Sequence, residues 1–501
     1  MKDKILIALC AFYLLLTSAN LTLLPIFNDE SIYLDWGIRS TTKPGMLYYS
    51  VNDGKPPLMI WFFGIFVHFI NDPLFAGRFV SILFGLITLV GIFFLSRFLF
   101  GKRTAYVTSL LYIVTPLIFF YNRQSLMESG VAASGVWSTY FLIRSIKSHS
   151  PKNAIFSGLV TGLGFFIKTN AIIFLISTIV GTVYEAYKLK NRMIARSLLL
   201  ISAGFIGGSV LLLINPIFWS TLSRNSRYGL TFSELLHFPI SIWVSNLSIN
   251  VLILSFVFTP FILIAALCGL YQFRKKHFLL VLLVLVPLIL ETLTVRQAVQ
   301  RYLVSYTPLL LLPAGYVFSK LIDKNKKIGL GILLLSLIPA LYLILLQIFS
   351  PATYFHTTRM IPGITDNGYV AGQLSGYGVN KLIPKIEALA DRKIIILIAE
   401  NAGNPENAMN IYFEKNKNIQ TGYVQSEYFG DQLKNYECIL EKNGKPMYFI
   451  SRSSYLVGLE KYLILKEKIS LPESTEYIGI YKMKDDCTRN KSLIVEPVMK
   501  L

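Results

Sequence analysis

The chain has 501 residues, of which 53% are hydrophobic and 15% charged, whereas soluble globular proteins carry about 25% charged residues. Its net charge of +20 sits almost wholly in residues 1–350, with 29 Lys and Arg against 11 Asp and Glu; residues 351–501 hold 19 against 17. This excludes a wholly soluble globular chain and argues against a nucleic-acid binder, whose basic residues gather on a soluble face.

A bilayer core asks for about 20 apolar residues per helix. In chain order the candidate spans are 5–24, 79–98, 104–121, 129–146, 154–168, 170–187, 197–215, 250–271, 278–293, 302–320 and 328–349. The first run lacks a small-x-small cleavage site before Pro25 and is read as a retained helix. Between the spans lie basic clusters: Arg97/Lys102/Arg103, Arg144/Lys147/Lys152, Lys188/Lys190/Arg192/Arg196, Arg274/Lys275/Lys276 and Lys320/Lys324/Lys326/Lys327. With eleven spans every cluster falls on the side of Lys2 and Lys4, which predicts a cytoplasmic N-terminus. The apolar run 56–70 is then an interfacial or re-entrant helix inside a long outer loop, 25–78. Residues 351–501 fall outside the cytoplasm.

That tail mixes periods. "VNKLIPKIEALA" reads as an amphipathic helix; "KIIILIAE", "PMYFISR" and "EYIGIYKMK" read as strands. A small α/β domain over 351–501 is predicted beside a membrane domain over 1–350. "SGYGVNK", residues 375–381, sets glycines before a helix, usually a structural turn and sometimes an anion cradle. Cys10 and Cys268 lie in apolar runs; Cys438 and Cys487 lie in the tail, where a disulfide and two free thiols are equally open.

The outer face collects Asp29, Glu30, Asp53, Lys55, Arg78, Arg123, Glu128, Lys168, Arg296 and Arg301. Carboxylates among several cations suit a phosphate-bearing substrate whose chemistry needs a base. "NDES" around Asp29 and Glu30 also fits a helix start, but an ionisable pair at a bilayer edge is a functional candidate. In "NDGKPPLMIW", Lys55 is set to bind a lipid phosphate or to snorkel to the interface. Glu128 in "YNRQSLMES" needs a partner such as Arg78, Arg123 or a metal. Arg296 and Arg301 in "TVRQAVQRYLVSY" supply forks for a phosphate, and Lys168 in "FFIKTN" is a weaker candidate. There is no Walker A loop, no Rossmann glycine pattern and no HExxH, and the five histidines show no ligand spacing. An activated donor on this face is therefore expected to be lipid-borne.

A first-loop acidic pair, then "GKPPL", "AGRFVS" and "RYLVSYTPLLLLPAG", resembles the GT-C membrane glycosyltransferases over about residues 20–320. Within that superfamily the resemblance is to the phospholipid-carrier-dependent enzymes, among them protein O-mannosyltransferases and aminoarabinose–lipid A transferases. It implies a mainly α, polytopic bundle of about eleven spans plus interfacial helices, with the α/β tail outside. It further implies Asp29 as the acid that deprotonates an acceptor, with Glu30 its companion, and Lys55, Arg78 and Arg301 on the donor phosphate. Arg296 joins that phosphate set as a neighbouring fork; Glu128 matches a second acidic position, with Asp53 beside it. In the aminoarabinose enzymes an acid usually precedes the Lys-Pro-Pro; here Gly54 stands there and Asp53 one residue earlier.

No cofactor is required by these residues, a divalent cation remaining open. The expected partners are a polyprenyl phosphate-linked sugar, membrane lipids and a glycan, lipid or protein acceptor, with no nucleic acid. The expected activity is an inverting hexosyl or pentosyl transfer at the cell membrane. A lipid-linked sugar flippase and a ligase using a lipid pyrophosphate are the alternatives.

Overall fold

A computed structural model of the protein describes residues 3–222, 227–361, 367–372, 374–390, 393–399, 403–424, 446–456 and 463–483. The chain divides into two compact units. The first comprises Met1–Leu21, Arg39–Asn71 and Phe75–Thr365; the second comprises Thr22–Ile38, Asp72–Leu74 and Asp366–Leu501.

The first unit opens with α1 (Lys4–Ser18), whose Asp3 accepts from the Leu6 N–H as an N-cap. Helix α2 (Asn28–Thr42) starts in the second unit and enters the first at Arg39. A 3-10 turn over Tyr49–Asp53 leads to α3 (Leu58–Phe69). Twelve residues of α-helix rise about 18 Å, too little to cross, as expected for the run at 56–70. The bundle continues through α4 (Pro73–Phe100), α5 (Lys102–Val114), α6 (Pro116–Tyr121), α7 (Glu128–Ser148), α8 (Pro151–Ile167), α9 (Ile172–Leu189) and α10 (Arg192–Leu213). The expected span over 104–121 is thus two helices, broken at Thr115–Pro116 because proline offers no N–H and crowds the residue before it. The tight hairpin expected near 168 is present, turned by Thr169–Ala171. Between α8 and α10, a Cβ on Gly158 or Gly162 would strike the carbonyls of Ile201 or Phe205, the small-residue contact by which membrane helices approach closely.

After α11 (Pro216–Thr221) and α12 (Phe232–Leu236) come α13 (Ile240–Val257) and α14 (Pro260–Lys276). The single span expected over 250–271 is replaced by these two, because Thr259 takes a positive φ of 70° immediately before Pro260. Helix α14 runs alongside α15 (Phe278–Thr294) and, past α16 (Gln300–Leu303), along α17 (Thr307–Lys324), with Phe273 5.2 Å from the Tyr316 ring. Then α18 (Lys326–Phe349) and α19 (Pro351–Thr358) close the unit. Among the described residues five helices are long and apolar enough to cross a membrane, and Lys4–Ser18, Leu58–Phe69 and Phe278–Thr294 are shorter apolar helices. Leu15, Leu199 and Leu334 are exposed on such helices, as lipid-facing side chains are. This is a membrane protein.

One end of the bundle gathers basic residues. Arg97 lies 3.7 Å from Asp3, Arg103 pairs with Asp323, Lys147 sits over Phe98, and Phe100 packs on Phe273 and His277.

In the second unit, α20 (Asn367–Val370) and α21 (Tyr377–Leu389) precede β1 (Ile394–Ala399), α22 (Glu406–Phe413), β2 (Ile419–Val424), β3 (Met447–Arg452), β4 (Leu463–Ser470) and β5 (Tyr477–Met483). The sheet runs β2-β1-β3-β5-β4, with β1 parallel to β2 and β3, and β5 antiparallel to β3 and β4. The expected helix and three strands are α21, β1, β3 and β5; α22, β2 and β4 were not anticipated. Strand β4, "LILKEKIS", is an edge strand whose charged residues are partly solvated, so its pattern is weak. Gly376 of "SGYGVNK" packs against the Ile26 backbone, a close approach rather than an anion cradle. Cys438 and Cys487 lie outside the described residues.

Candidate active site

In the first unit, the end opposite the basic clusters brings Glu128, Lys168 and Arg301 together. Glu128 opens α7 with its side chain buried. Lys168, at the C-cap of α8, donates Nζ to Glu128 Oε1 at 2.7 Å, and Arg301 of α16 donates Nε to the same oxygen at 2.7 Å. The other oxygen, Oε2, is buried with no hydrogen-bond partner among the described residues. Ser305 donates to the Glu128 carbonyl, and the Tyr302 ring lies 5.6 Å from Lys168 Nζ. Two cations thus share one carboxylate oxygen, held in place by three separate elements. Such a cluster can receive an anion without reorganising.

The other cations of this unit are placed differently. Arg78 is fully buried and donates Nη1 to the Leu21 carbonyl at 2.7 Å. Arg123 donates Nη2 to the carbonyls of Ala19 and Asn20 at 2.6 and 3.1 Å. Both guanidiniums thus serve the carbonyls that follow the last turn of α1, which have no intrahelical donors. Arg123 is thus turned to the end of α1, and Lys168 with Arg301 takes the place expected for it beside Glu128. Arg296 is held bidentately by Glu234, at 2.8 and 2.9 Å. Glu234 also completes the capping box of α12 with Thr231. The Thr231 backbone N–H, followed by Arg296, holds the Glu234 carboxyl down to about 2. Arg296 is thus tied into a structural junction, reinforced by a bridge between Gly229 and Val295. Lys55 is half-buried, with Nζ 4.7 Å from the centre of the Tyr228 ring. Its backbone is fixed by Ser50, whose Oγ donates to the Lys55 carbonyl at 2.9 Å, and the preceding Gly54 turns at φ 73°. Asp53, half-buried, ends the 3-10 turn before it.

In the second unit, Asp29 and Glu30 lie in the first turn of α2. Glu30 is fully buried and accepts from the Phe27 N–H at 2.9 Å, so its carboxylate stabilises the helix start; Asp29 is half-buried. Asn28 accepts from the Asn404 N–H at 2.9 Å, and its own N–H donates to the Leu374 carbonyl at 3.1 Å. Asp35, two turns further on, is fully buried; Asn407 donates Nδ2 to its Oδ2 at 2.6 Å and Asn410 donates to its Oδ1. Sequence reasoning missed Asp35 and the tail asparagines. A signal existed: Asn404, Asn407 and Asn410 recur every three residues at a helix start, although asparagine is a poor helix former.

Among the described residues no group of three His, Cys, Asp or Glu side chains converges as metal ligands would.

Residues 54–219 match the family model described as dolichyl-phosphate-mannose-protein mannosyltransferase. No curated protein sequence matches the chain. Among solved structures, ArnT from Cupriavidus metallidurans bound to undecaprenyl phosphate is 12% identical, with TM-score 0.61, covering 96% of this chain and 98% of that one. Its apo state gives 13% identity, TM-score 0.62, and coverage of 95% and 97%. The Archaeoglobus fulgidus oligosaccharyltransferase complex with Zn and sulfate gives 12%, TM-score 0.53, and coverage of 94% and 72%. Over nearly its whole length the chain shares the fold of ArnT, and a third of it matches the mannosyltransferase family model.

Proposed function

We propose that the protein transfers a sugar from a polyprenyl phosphate carrier to an acceptor hydroxyl on the extracytoplasmic face. The observation that carries this reading is the Glu128–Lys168–Arg301 cluster, in which two cations share one buried carboxylate at the bundle end away from the basic clusters. Support for a lipid-linked donor comes from the ArnT structure bound to undecaprenyl phosphate. Lys55, Lys168 and Arg301 hold the donor phosphate, with Glu128 fixing two of them. Arg78 and Arg296 contribute by fixing the chain rather than by touching the donor. Asp29 takes the proton of the acceptor hydroxyl, whose oxygen bonds to the anomeric carbon. The carbon–oxygen bond to the phosphate breaks, and the electron pair leaves on the polyprenyl phosphate. A single displacement of this kind inverts the anomeric centre. The cations stabilise the leaving charge, and a positioned base contributes about 100- to 10,000-fold.

The test uses purified protein in bilayers, wild type and Asp29→Asn, given undecaprenyl phosphate-linked hexoses or pentoses and a crude envelope acceptor. Transfer by wild type that collapses in the variant supports the reading. Equal transfer by both moves the base elsewhere. Movement of the lipid-linked sugar between leaflets without transfer makes the protein a flippase.

A further inference from the structure

The second unit joins parts of the chain more than 370 residues apart. Its first segment, Thr22–Ile38, is bound to the tail by polar contacts that are nearly all buried. At the start of α2, Asn28 Oδ1 accepts from the Asn404 N–H, and Asn404 Nδ2 donates to the Ile26 carbonyl at 3.0 Å. Gly403 sits at φ 110°, and a Cβ there would strike the Asn28 amide. Phe27 stacks on Tyr369 with ring centres 4.1 Å apart. Seven residues on, Asp35 receives two side-chain amides from α22, Asn407 and Asn410. Asn410 is itself held from behind, its Oδ1 accepting from Thr421 of β2 at 3.0 Å. At its N-terminus α22 is fixed by Glu406, whose carboxylate accepts from buried Arg452 of β3 at 3.0 Å.

Residues 28 and 35 fall on one face of a helix, and 29 lies about 100° round from 28. Two anchors about 10 Å apart along the axis fix both the direction of α2 and its rotation. Asp29, between anchored Asn28 and the buried cap Glu30, is the half-buried acid turned off the anchored face.

An amide clasp is an unusual choice for a buried carboxylate. Short, directional amide bonds hold both oxygens of Asp35. Such groups specify geometry more than they add stability.

We infer that α22 of the tail positions Asp29, with Asp35, Asn407 and Asn410 as positioning residues. The tail thereby sets the orientation of the proposed base. The inference rests on the proposed role of Asp29. It predicts that loosening the clasp slows the chemical step, because displacements near 1 Å can cost about 100-fold in rate, and leaves donor affinity alone, because the phosphate-holding cations belong to the first unit.

The experiment uses the full-length protein in bilayers with undecaprenyl phosphate-linked sugar and the envelope acceptor. Four forms are compared: Asp35→Asn, Asn407→Ala with Asn410→Ala, Asp29→Asn, and the exchange Asp35→Asn with Asn407→Asp. The exchange keeps both hydrogen bonds, one with donor and acceptor reversed. Expected is a fall in kcat of roughly tenfold or more in the double alanine form, with donor KM unchanged, and recovery of most of it in the exchange. Hydrogen exchange over residues 28–38 reads the clasp without any substrate, and should rise in the double alanine form and return in the exchange. Unchanged exchange and unchanged kcat in the double alanine form would overturn the inference, as would an exchange form no better than Asp35→Asn. Full transfer by Asp29→Asn would overturn both the role of Asp29 and its positioning. Loss in the clasp forms beside loss in Asp29→Asn supports both.

Discussion

Two buried carboxylates, Glu128 and Asp35, are treated in opposite ways. Glu128 meets two cations, Lys168 and Arg301, which share one of its oxygens. Asp35 meets two neutral amides, one on each oxygen. Cations around a carboxylate build a site of defined charge that a further anion can enter. Amides add no charge, but each hydrogen bond is directional, so they fix an orientation. The difference separates a place for binding from a device for positioning, although both begin as an acid hidden from water.

Breaking the first arrangement should have the larger effect. Glu128→Ala leaves Lys168 and Arg301 without their shared buried partner, and removing one member of such a cluster costs about 3–5 kcal/mol. Thermal unfolding in detergent measures it, and transfer should fall with it. Arg301→Lys keeps the charge but loses the planar fork, so it should retain stability while raising the donor KM.

For the second arrangement, Asp35→Ala leaves the Asn407 and Asn410 amides buried and unsatisfied. Each such group costs about 1–3 kcal/mol, read in the same unfolding experiment. Gly403→Ala should loosen the other anchor, since its backbone at φ 110° and the neighbouring Asn28 leave no room for a Cβ. Increased hydrogen exchange over residues 26–30 would report it.

The smallest effect concerns a third acid, Glu234, which is partly exposed where the other two are buried. Its carboxyl is held down to about 2 from an ordinary 4.5, so the ionised form is the one the folded loop favours. Its contribution is present above about pH 4.5 and is lost as the pH falls toward 2. The Leu230 and Arg296 amides, bonded to Thr294 and Tyr228, should exchange faster over that window once intrinsic rates are corrected. Glu234→Gln should flatten the dependence.

Much of the first unit was legible in the sequence. Apolar runs broken by basic clusters marked most of the helices, because burial in lipid requires runs of apolar side chains and excludes charge. The short run at 56–70 was identified by its length. Pro116 and Pro260 mark the two helix breaks inside apolar runs that otherwise read as single spans. In the tail, β1, β3 and β5 carried apolar runs, while edge strand β4 and the short α22 had too little period to register. Of the site residues, Glu128 and Arg301 were recognised as candidates. Lys168 was undervalued because a lysine at a hairpin turn has a bland explanation.

The sequence by itself determined a membrane bundle with a mixed α/β tail, the sorting of charge between its ends, and a short roster of acids and cations. Those properties are local: each depends on composition within a turn or a run. Tertiary structure alone decided the pairings. Glu128 finds Lys168 and Arg301 across 40 and 173 residues, and Asp35 finds Asn407 across 372. It also assigned Arg78 and Arg123 to the end of α1 and Arg296 to Glu234. A hydrophobic period says which face of a helix is buried, but a buried polar group is satisfied by whichever partner the fold brings within 3 Å, and that partner leaves no local trace.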